Sequence, residues 1–278
     1  MIYAICTQYR NEQNKLKPWI LYHIEQGFNC FILYDDHSFD NSVNILNDIS
    51  HLYNVNIVLN KTDAIEKTYT SALDTEKYMT DVPLNKRIAR SFLNGFATFN
   101  LLASQVNTSI NDSFCSFTDV DECLTTDTKK SVVETIKILF EKQNTNHIYV
   151  PSFDINTSNL TSDFNVFVKK DTQNRWSSSD RDSFMNGKYS HRGKSIIKFG
   201  YDFPIKTDLH SWSIVHCAGA IGNNFETAIP VDCNKNCNSS DLRIHHYRIP
   251  PNDGCKQFSE HDVSLYNKFK KVYEKYGL

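Results

Sequence analysis

The sequence predicts an α/β protein with a mixed, mostly parallel central sheet flanked by helices and an irregular C-terminal half. Three observations carry this. The first 60 residues alternate short apolar runs with helical periodicity, in the order strand-helix-strand-helix-strand. The second run, Cys30-Phe31-Ile32-Leu33-Tyr34, is apolar throughout, as in a parallel strand covered on both faces. The early runs end in polar clusters, Thr7-Gln8-Tyr9-Arg10-Asn11-Glu12 and then Asp35-Asp36-His37-Ser38. A β-α-β-α-β order implies right-handed crossovers and a doubly wound sheet, in which ligands bind beyond the carboxyl ends of the strands.

Taken in order, residues 2–7 form the first strand. Leu16, Trp19, Ile20, His23 and Ile24 then recur at helical spacing. Pro18 is expected near the start of that helix, where its missing N–H is harmless, and Gly27 stops it. Val43, Ile45, Leu46 and Ile49 mark the next helix, with Ser38 or Asp40 as its cap. Residues 55–59 make the third strand and 61–83 a polar loop. Residues 84–104 form a long helix with Ile88, Phe92, Phe96 and Phe99 on one face. Residues 114–117 are a strand that ends at Asp119-Val120-Asp121-Glu122, followed by a helix at 132–140 and a strand at 147–150. Beyond 151 short strands are expected at 166–168, 195–199 and 214–220, and an amphipathic helix at 260–276. Without repeats or low-complexity linkers, residues 1–278 read as a single domain.

Composition narrows the function. The chain of 278 residues is 40% hydrophobic and 22% charged, typical of a soluble protein with an ample core. Its net charge of −2 and lack of a Lys/Arg block argue against nucleic acid or an anionic membrane as partner. No apolar stretch approaches the ~18 residues of a membrane span. Residues 1–6 lack the basic region and cleavage site of a signal peptide, so a cytoplasmic location is expected, in a viral or cellular protein. Of eight cysteines, Cys6, Cys30, Cys115 and Cys217 sit in or beside apolar runs as small hydrophobes. Cys233-x-x-x-Cys237, with Cys255 and a histidine, is a loosely spaced zinc half-site.

The strongest chemical signal is Asp119-x-Asp121 at a strand end. Two carboxylates facing one cleft repel, and a divalent cation resolves the conflict. Carboxylates, phosphate oxygens and water suit Mg²⁺ or Mn²⁺. Asp35 or Asp36 could accept hydrogen bonds from a nucleoside, or simply favour the following helix N-terminus. Arg10, Asn11 and Glu12 lie in the first strand-to-helix loop, and Lys194 and Lys198 bracket an apolar pair. His216, His245 and His246 are candidates to complete a metal shell.

Taken in one order, Arg10-Asn11-Glu12, Trp19-Ile20-x-x-His23, Gly27-Phe28, Tyr34-Asp35-Asp36-x-Ser38-x-Asp40, Asp119-x-Asp121-Glu122, Lys194-Ser195-Ile196-Ile197 and His246-Tyr247 resemble glycosyltransferase family 92 and the family-2-like glycosyltransferases. The resemblance runs from about residue 3 to 248. It implies a GT-A fold and inverting, metal-dependent transfer of a sugar from a nucleotide diphosphate-sugar, with UDP-sugar first, to a glycan or other hydroxyl acceptor. Residues 1–125 would be the nucleotide-sugar half, 126–255 the acceptor side and 256–278 a C-terminal helix. Asp121 would ligate Mn²⁺ (or Mg²⁺), Asp119 would contact ribose or metal-bound water, and His246 would be the C-terminal metal ligand. Thr7, Arg10, Asn11, Glu12, Asp35, Asp36, Ser38, Asp119 and Lys194 would line the donor site. Asp154, then Asp182, would be the general base. The chain departs from the family at Asp121-Glu122-Cys123, where relatives continue Asp-Glu-Phe, and at Ser152-Phe153-Asp154-Ile155-Asn156. Competing readings are a nucleotide- or glycan-binding module without turnover, and an aspartyl-phosphate phosphatase.

Overall fold

The fold is that of a computed structural model, which describes residues 1–62, 84–106, 112–155, 157, 166–168, 174–175, 193–200, 241–247 and 260–278. Strand β1 (Tyr3–Tyr9) is buried along nearly its whole length and lies inside the sheet. It pairs in parallel with β2 (Cys30–Asp35) on one side and β4 (Phe114–Phe117) on the other. Strand β3 (Asn56–Lys61) continues the parallel set beyond β2. Helix α1 (Gln13–Glu25) links β1 to β2, and α2 (Ser42–Leu52) links β2 to β3. After α3 (Leu84–Gln105) and β4 come β5 (Glu122–Thr125), α4 (Val132–Gln143) and β6 (His147–Asp154). Then follow β7 (Asn174–Arg175), β8 (Gly193–Lys198), β9 (Arg243–His246), β10 (Glu260–His261) and α5 (Ser264–Tyr276). The sheet order is β3-β2-β1-β4-β8-β6-β9-β5, with β8 and β5 antiparallel to their neighbours and β6 parallel to β9. This is a mixed, mostly parallel sheet flanked by helices.

Both faces of the sheet are dry. On one, Phe92, Phe96 and Phe99 of α3 pack on Cys6, Ile32, Cys115 and Phe117. Gly95 makes that approach feasible, because a Cβ there would lie 2.0 Å from the Cys6 sulfur. On the other, Trp19 and Ile20 of α1, Ile136 of α4 and Phe269 of α5 pack with Ile5, Phe31, Leu33 and Phe114. Each fully buried large apolar side chain contributes roughly 1.5–3 kcal/mol. Cys6, Cys30 and Cys115 are buried free thiols, as is Cys123.

Local chemistry sets the ends of the helices. Gly27 takes φ +95°, Gly27 N–H donates to Ile24 O and Phe28 N–H to His23 O, the paired closure that a left-handed glycine permits. A capping box of Ser131 and Glu134 opens α4, and Asn144 closes it in the left-handed region.

Four local expectations need correction. The C-terminal helix starts at Ser264, because Glu260–His261 pair with β7 as β10. Helix α1 starts at Gln13, so Pro18 lies inside it and removes a helical N–H. The helix persists because Leu16, Trp19, Ile20, Leu21 and Tyr22 are fully buried. The N-cap position of α2 is Asn41, which makes no side-chain cap bond; Ser38 is engaged with the neighbouring loop, while Asp40 reaches both that loop and the Ser42 N–H of the helix (3.0 Å). Residues Val166–Val168 form a 3-10 turn, which lets Phe167 stack on Phe269 at 4.3 Å between ring centroids. Strand β5 was not anticipated; it exists because β9 pairs with it from far along the chain. The expected strand at 214–220 and the Cys233, Cys237 and Cys255 group lie outside the described residues.

Candidate active site at the carboxyl edge of the sheet

The turn between β4 and β5 carries Asp119-Val120-Asp121. Glu122 N–H donates to Asp119 O, closing the turn, and Val120 is buried beneath it. With the central valine anchored in the core, the flanking side chains stay accessible, at 35% exposed for Asp119 and 24% for Asp121. Helix α1 holds the far side of β5 in place: Trp19 Nε1 donates to Glu122 O (2.8 Å) and the Tyr22 hydroxyl to Leu124 O (2.7 Å).

Strand register then assembles the rest. Residue His246 of β9 lies opposite Glu122 of β5 on one side and Asp154 of β6 on the other. The His246 Nδ1 is 3.0 Å from Asp154 Oδ1, and its Nε2 is 3.4 Å from Asp121 Oδ2. From β8, Lys194 donates to Asp119 Oδ2 (2.7 Å) and lies 3.2 Å from Glu122 Oε2. The Asp119 N–H also donates to Glu122 Oε2 (3.1 Å). Sequence reasoning named Asp119, Asp121, Asp154, Lys194 and His246, and all five meet here.

The electrostatics are strongly coupled. Burial opposes charge on His246, but the Asp121 charge and hydrogen bond, and the bond to Asp154, outweigh it and push its pKa up to about 10. Burial likewise opposes ionisation of Asp121, yet His246, Lys15 and Lys194 hold its carboxyl well below the usual range. Burial raises the Glu122 carboxyl, with Lys194 pulling the other way. The Lys194 ammonium resists burial because Asp119 and Glu122 raise its pKa.

The donor-side residues have more varied fates. Thr7 is buried in β1, and its hydroxyl donates to Gln8 O. Arg10 is exposed beyond the strand. Asn11 adopts φ +55°, in the left-handed region that asparagine tolerates. Its N–H donates to Ser38 Oγ and its Oδ1 accepts from Phe39 N–H. The Glu12 N–H donates to Ser42 Oγ, Gln13 N–H to Asp40 Oδ2, and Asn41 N–H to Gln13 Oε1. The two strand-to-helix loops are thus sewn together, so Asn11 and Ser38 order the edge of the site. Asp35 Oδ1 accepts from Ser38 N–H. Asp36 is fully buried, and its carboxylate takes Arg87 Nε (2.9 Å), Arg87 Nη2 (3.0 Å) and the Thr62 hydroxyl (2.8 Å). That carboxylate is committed to a buried ion pair, whereas Asp35 beside it meets the loop through Ser38 N–H.

Three participants escaped sequence reasoning. Lys15 is buried, pairs with Glu12 (2.8 Å) and acts electrostatically on Asp121. The available signal was its position four residues before Trp19, on the same helical face. Arg87 sat unremarked in a helix. Tyr9 lies in register with Asp35, and its buried hydroxyl has no hydrogen-bond partner among the described residues. Of the rival histidines, His245 faces Arg243 and Asp262 away from Asp121. His216 and Asp182 lie outside the described residues.

Among the described residues no group of three or more His, Cys, Asp or Glu side chains is gathered closely enough to hold a metal ion by itself. Asp121 and His246 offer two donors. With Nδ1–H directed at Asp154, the Nε2 lone pair of His246 faces a carboxylate oxygen, an arrangement that needs a proton or a cation between them. A carboxylate behind the ring is also the usual support of a metal-ligating histidine. The donor chemistry therefore fits a divalent ion whose shell is completed by ligand oxygens. No helix among the described residues is long and apolar enough to cross a membrane.

No protein-family model matches the chain, and no curated protein matches it. Similar solved structures include residues 1–349 of S. aureus TarS, at 12% identity and TM-score 0.38 over 71% of this chain and 47% of that one. The same TarS segment in complex with UDP-GlcNAc is 11% identical at TM-score 0.37, over 71% and 45% of the two chains. The mannosyltransferase Ktr4p of S. cerevisiae in complex with GDP is 8% identical at TM-score 0.28, over 99% and 62%. The chain thus spans about half the length of the TarS structures it matches.

Proposed function

We propose that the protein is a GT-A glycosyltransferase, similar to family 92, that transfers a sugar with inversion from a UDP-sugar to a glycan or other hydroxyl acceptor. The observation that carries this is the facing pair Asp121 and His246 at the carboxyl edge of the sheet, with His246 backed by Asp154. Asp121 and His246 would hold Mn²⁺ or Mg²⁺, which when bound supplies Lewis-acid neutralisation of the departing diphosphate. Lys194 and Lys15 add fixed positive charge on the same side. Asp35 and Tyr9, paired in register, would receive the base or ribose, with Arg10 and Glu12 at the rim. Asp119, accessible beside Asp121, would meet the ribose or water on the metal. Inversion needs a base for the acceptor hydroxyl, and Asp182 stands as its candidate.

One observation favours a second reading, transfer without metal. Lys194 already sits against the Asp119 and Glu122 carboxylates, so a protein cation holds a place beside the Asp119-x-Asp121 turn that a divalent ion would otherwise take. Thermal unfolding with UDP and UDP-sugars, with Mn²⁺ or with chelator, separates the two. Under the metal reading, UDP at 100–1,000 times its Kd stabilises the fold by about 3–4 kcal/mol with Mn²⁺ and far less with chelator. Asp121→Ala abolishes that difference and sugar transfer while the fold survives. Full transfer by Asp121→Ala in excess chelator would sink the metal reading.

A further inference from the structure

We propose that Asp154 is a positioning residue: its carboxylate fixes the ring of His246 so that Nε2 faces Asp121 and the cation site. This inference rests on the reading of His246 as a metal ligand. Asp154 is the last residue of β6 and is still paired with β9, so it is held by a ladder rather than by a loop. Its register partner on β9 is His246, and the backbone around that histidine is clamped on both sides. The Ile155 N–H donates to His246 O (2.9 Å), and the next residue, Tyr247, donates its N–H to Asp121 O (2.7 Å). With the backbone fixed from β6 and from the Asp121 turn, the remaining freedom of His246 is rotation of its ring. The Asp154 carboxylate, 3.0 Å from Nδ1, removes that freedom and selects the Nδ1–H tautomer, which leaves the Nε2 lone pair for a cation.

The same geometry argues against Asp154 as the proton acceptor of the reaction. It is only 3% exposed, and a carboxylate that orients a ligand cannot turn to an acceptor hydroxyl without releasing that ligand. Asp121 and Asp119, by contrast, are part-exposed.

The test is Mn²⁺ titration of the full chain with UDP, read by electron paramagnetic resonance, alongside transfer kinetics. In the wild type, pulsed spectra should show nitrogen coupling from histidine. Asp154→Ala should weaken Mn²⁺ binding roughly 10–100-fold, with UDP affinity in the absence of metal unchanged. Asp154→Asn keeps an acceptor oxygen for Nδ1–H and should lie in between. Because Asp154 is buried, the asparagine variant decides the matter if the alanine variant fails to fold by circular dichroism. Wild-type Mn²⁺ affinity in both variants, with transfer lost, would place Asp154 in the chemistry instead and overturn the inference. If His246→Ala binds Mn²⁺ as tightly as the wild type, with no nitrogen coupling in either, the metal reading fails and the inference goes with it.

Discussion

The two faces of β9 bear different kinds of charge. Arg243 and His245 look one way and His246 the other. Arg243 is 1% exposed and its guanidinium is engaged at all three nitrogens: Nη1 and Nη2 donate to Asp127 (2.7 and 2.8 Å), Nη2 also to Asp262 (2.6 Å) and Ser264 Oγ (2.9 Å), and Nε to His245 (2.9 Å). That network ties β9 to the loop after β5 and to the start of α5. His246, one residue on, stands between a buried carboxylate and an accessible one. The contrast shows that burial and pairing alone do not mark a functional site. A closed set of partners holds the fold together, whereas a set with one open side can take a ligand.

Three measurements put this contrast to the test. The largest effect is expected on the closed face. Arg243→Leu leaves Asp127 and Asp262 without their cation, and breaking such a buried network costs about 3–5 kcal/mol. Urea unfolding should show that loss, while nucleotide binding per folded molecule stays near wild type. Loss of nucleotide binding with unchanged stability would reverse the assignment of the two faces.

A third histidine gives the next effect. His23 is fully buried among Trp19, Tyr22 and Phe28, and burial pushes its pKa down to about 3 against the opposing bond to Trp19 O. The folded state holds it neutral, so its contribution is complete above the unfolded pKa of about 6.5 and is lost as pH falls toward 3. Between pH 7 and pH 5 this single residue should lower stability by about 2 kcal/mol. In denaturant curves, the stability difference between the two pH values should be about 2 kcal/mol larger in the wild type than in His23→Leu, other titrating groups cancelling in the comparison. An equal pH effect in the two proteins would show that His23 titrates alike in the folded and unfolded states.

The smallest stability effect is expected on the open face. Asp119→Asn removes one partner of Lys194 but leaves Glu122 beside it, and Asp119 is part-exposed. Stability should change by less than about 1 kcal/mol, while the affinity for UDP with Mn²⁺ changes measurably in calorimetry. A loss of several kcal/mol would make Asp119 part of the closed scaffold.

Much of this arrangement is legible in the sequence. Apolar runs and helical spacing gave β1, α1, β2, α2 and β3, because each element buries a face that its own residues declare. Asp119-x-Asp121 was legible because it follows a strand. Strand β5 was not, since Glu122-Cys123-Leu124-Thr125 carries too short a pattern and depends on β9, about 120 residues away. The pairing of Asp36 with Arg87 across 51 residues was equally hidden, as was the sewing of the two loops through Asn11, Ser38 and Asp40. Composition makes these polar residues look like ligand contacts, and only the neighbouring loop shows that several of them bind each other.

By itself, then, the sequence determined the α/β class, the order of the first three strands and the carboxylate-bearing turn after the fourth, because these follow from local periodicity and from residues adjacent in the chain. The tertiary structure decided which of two consecutive histidines faces that turn, which of two consecutive aspartates is committed to an arginine, and that Asp154 stands behind His246. In a strand, neighbouring side chains point to opposite faces, so a step of one residue separates scaffold from site, and register with distant strands fixes that step.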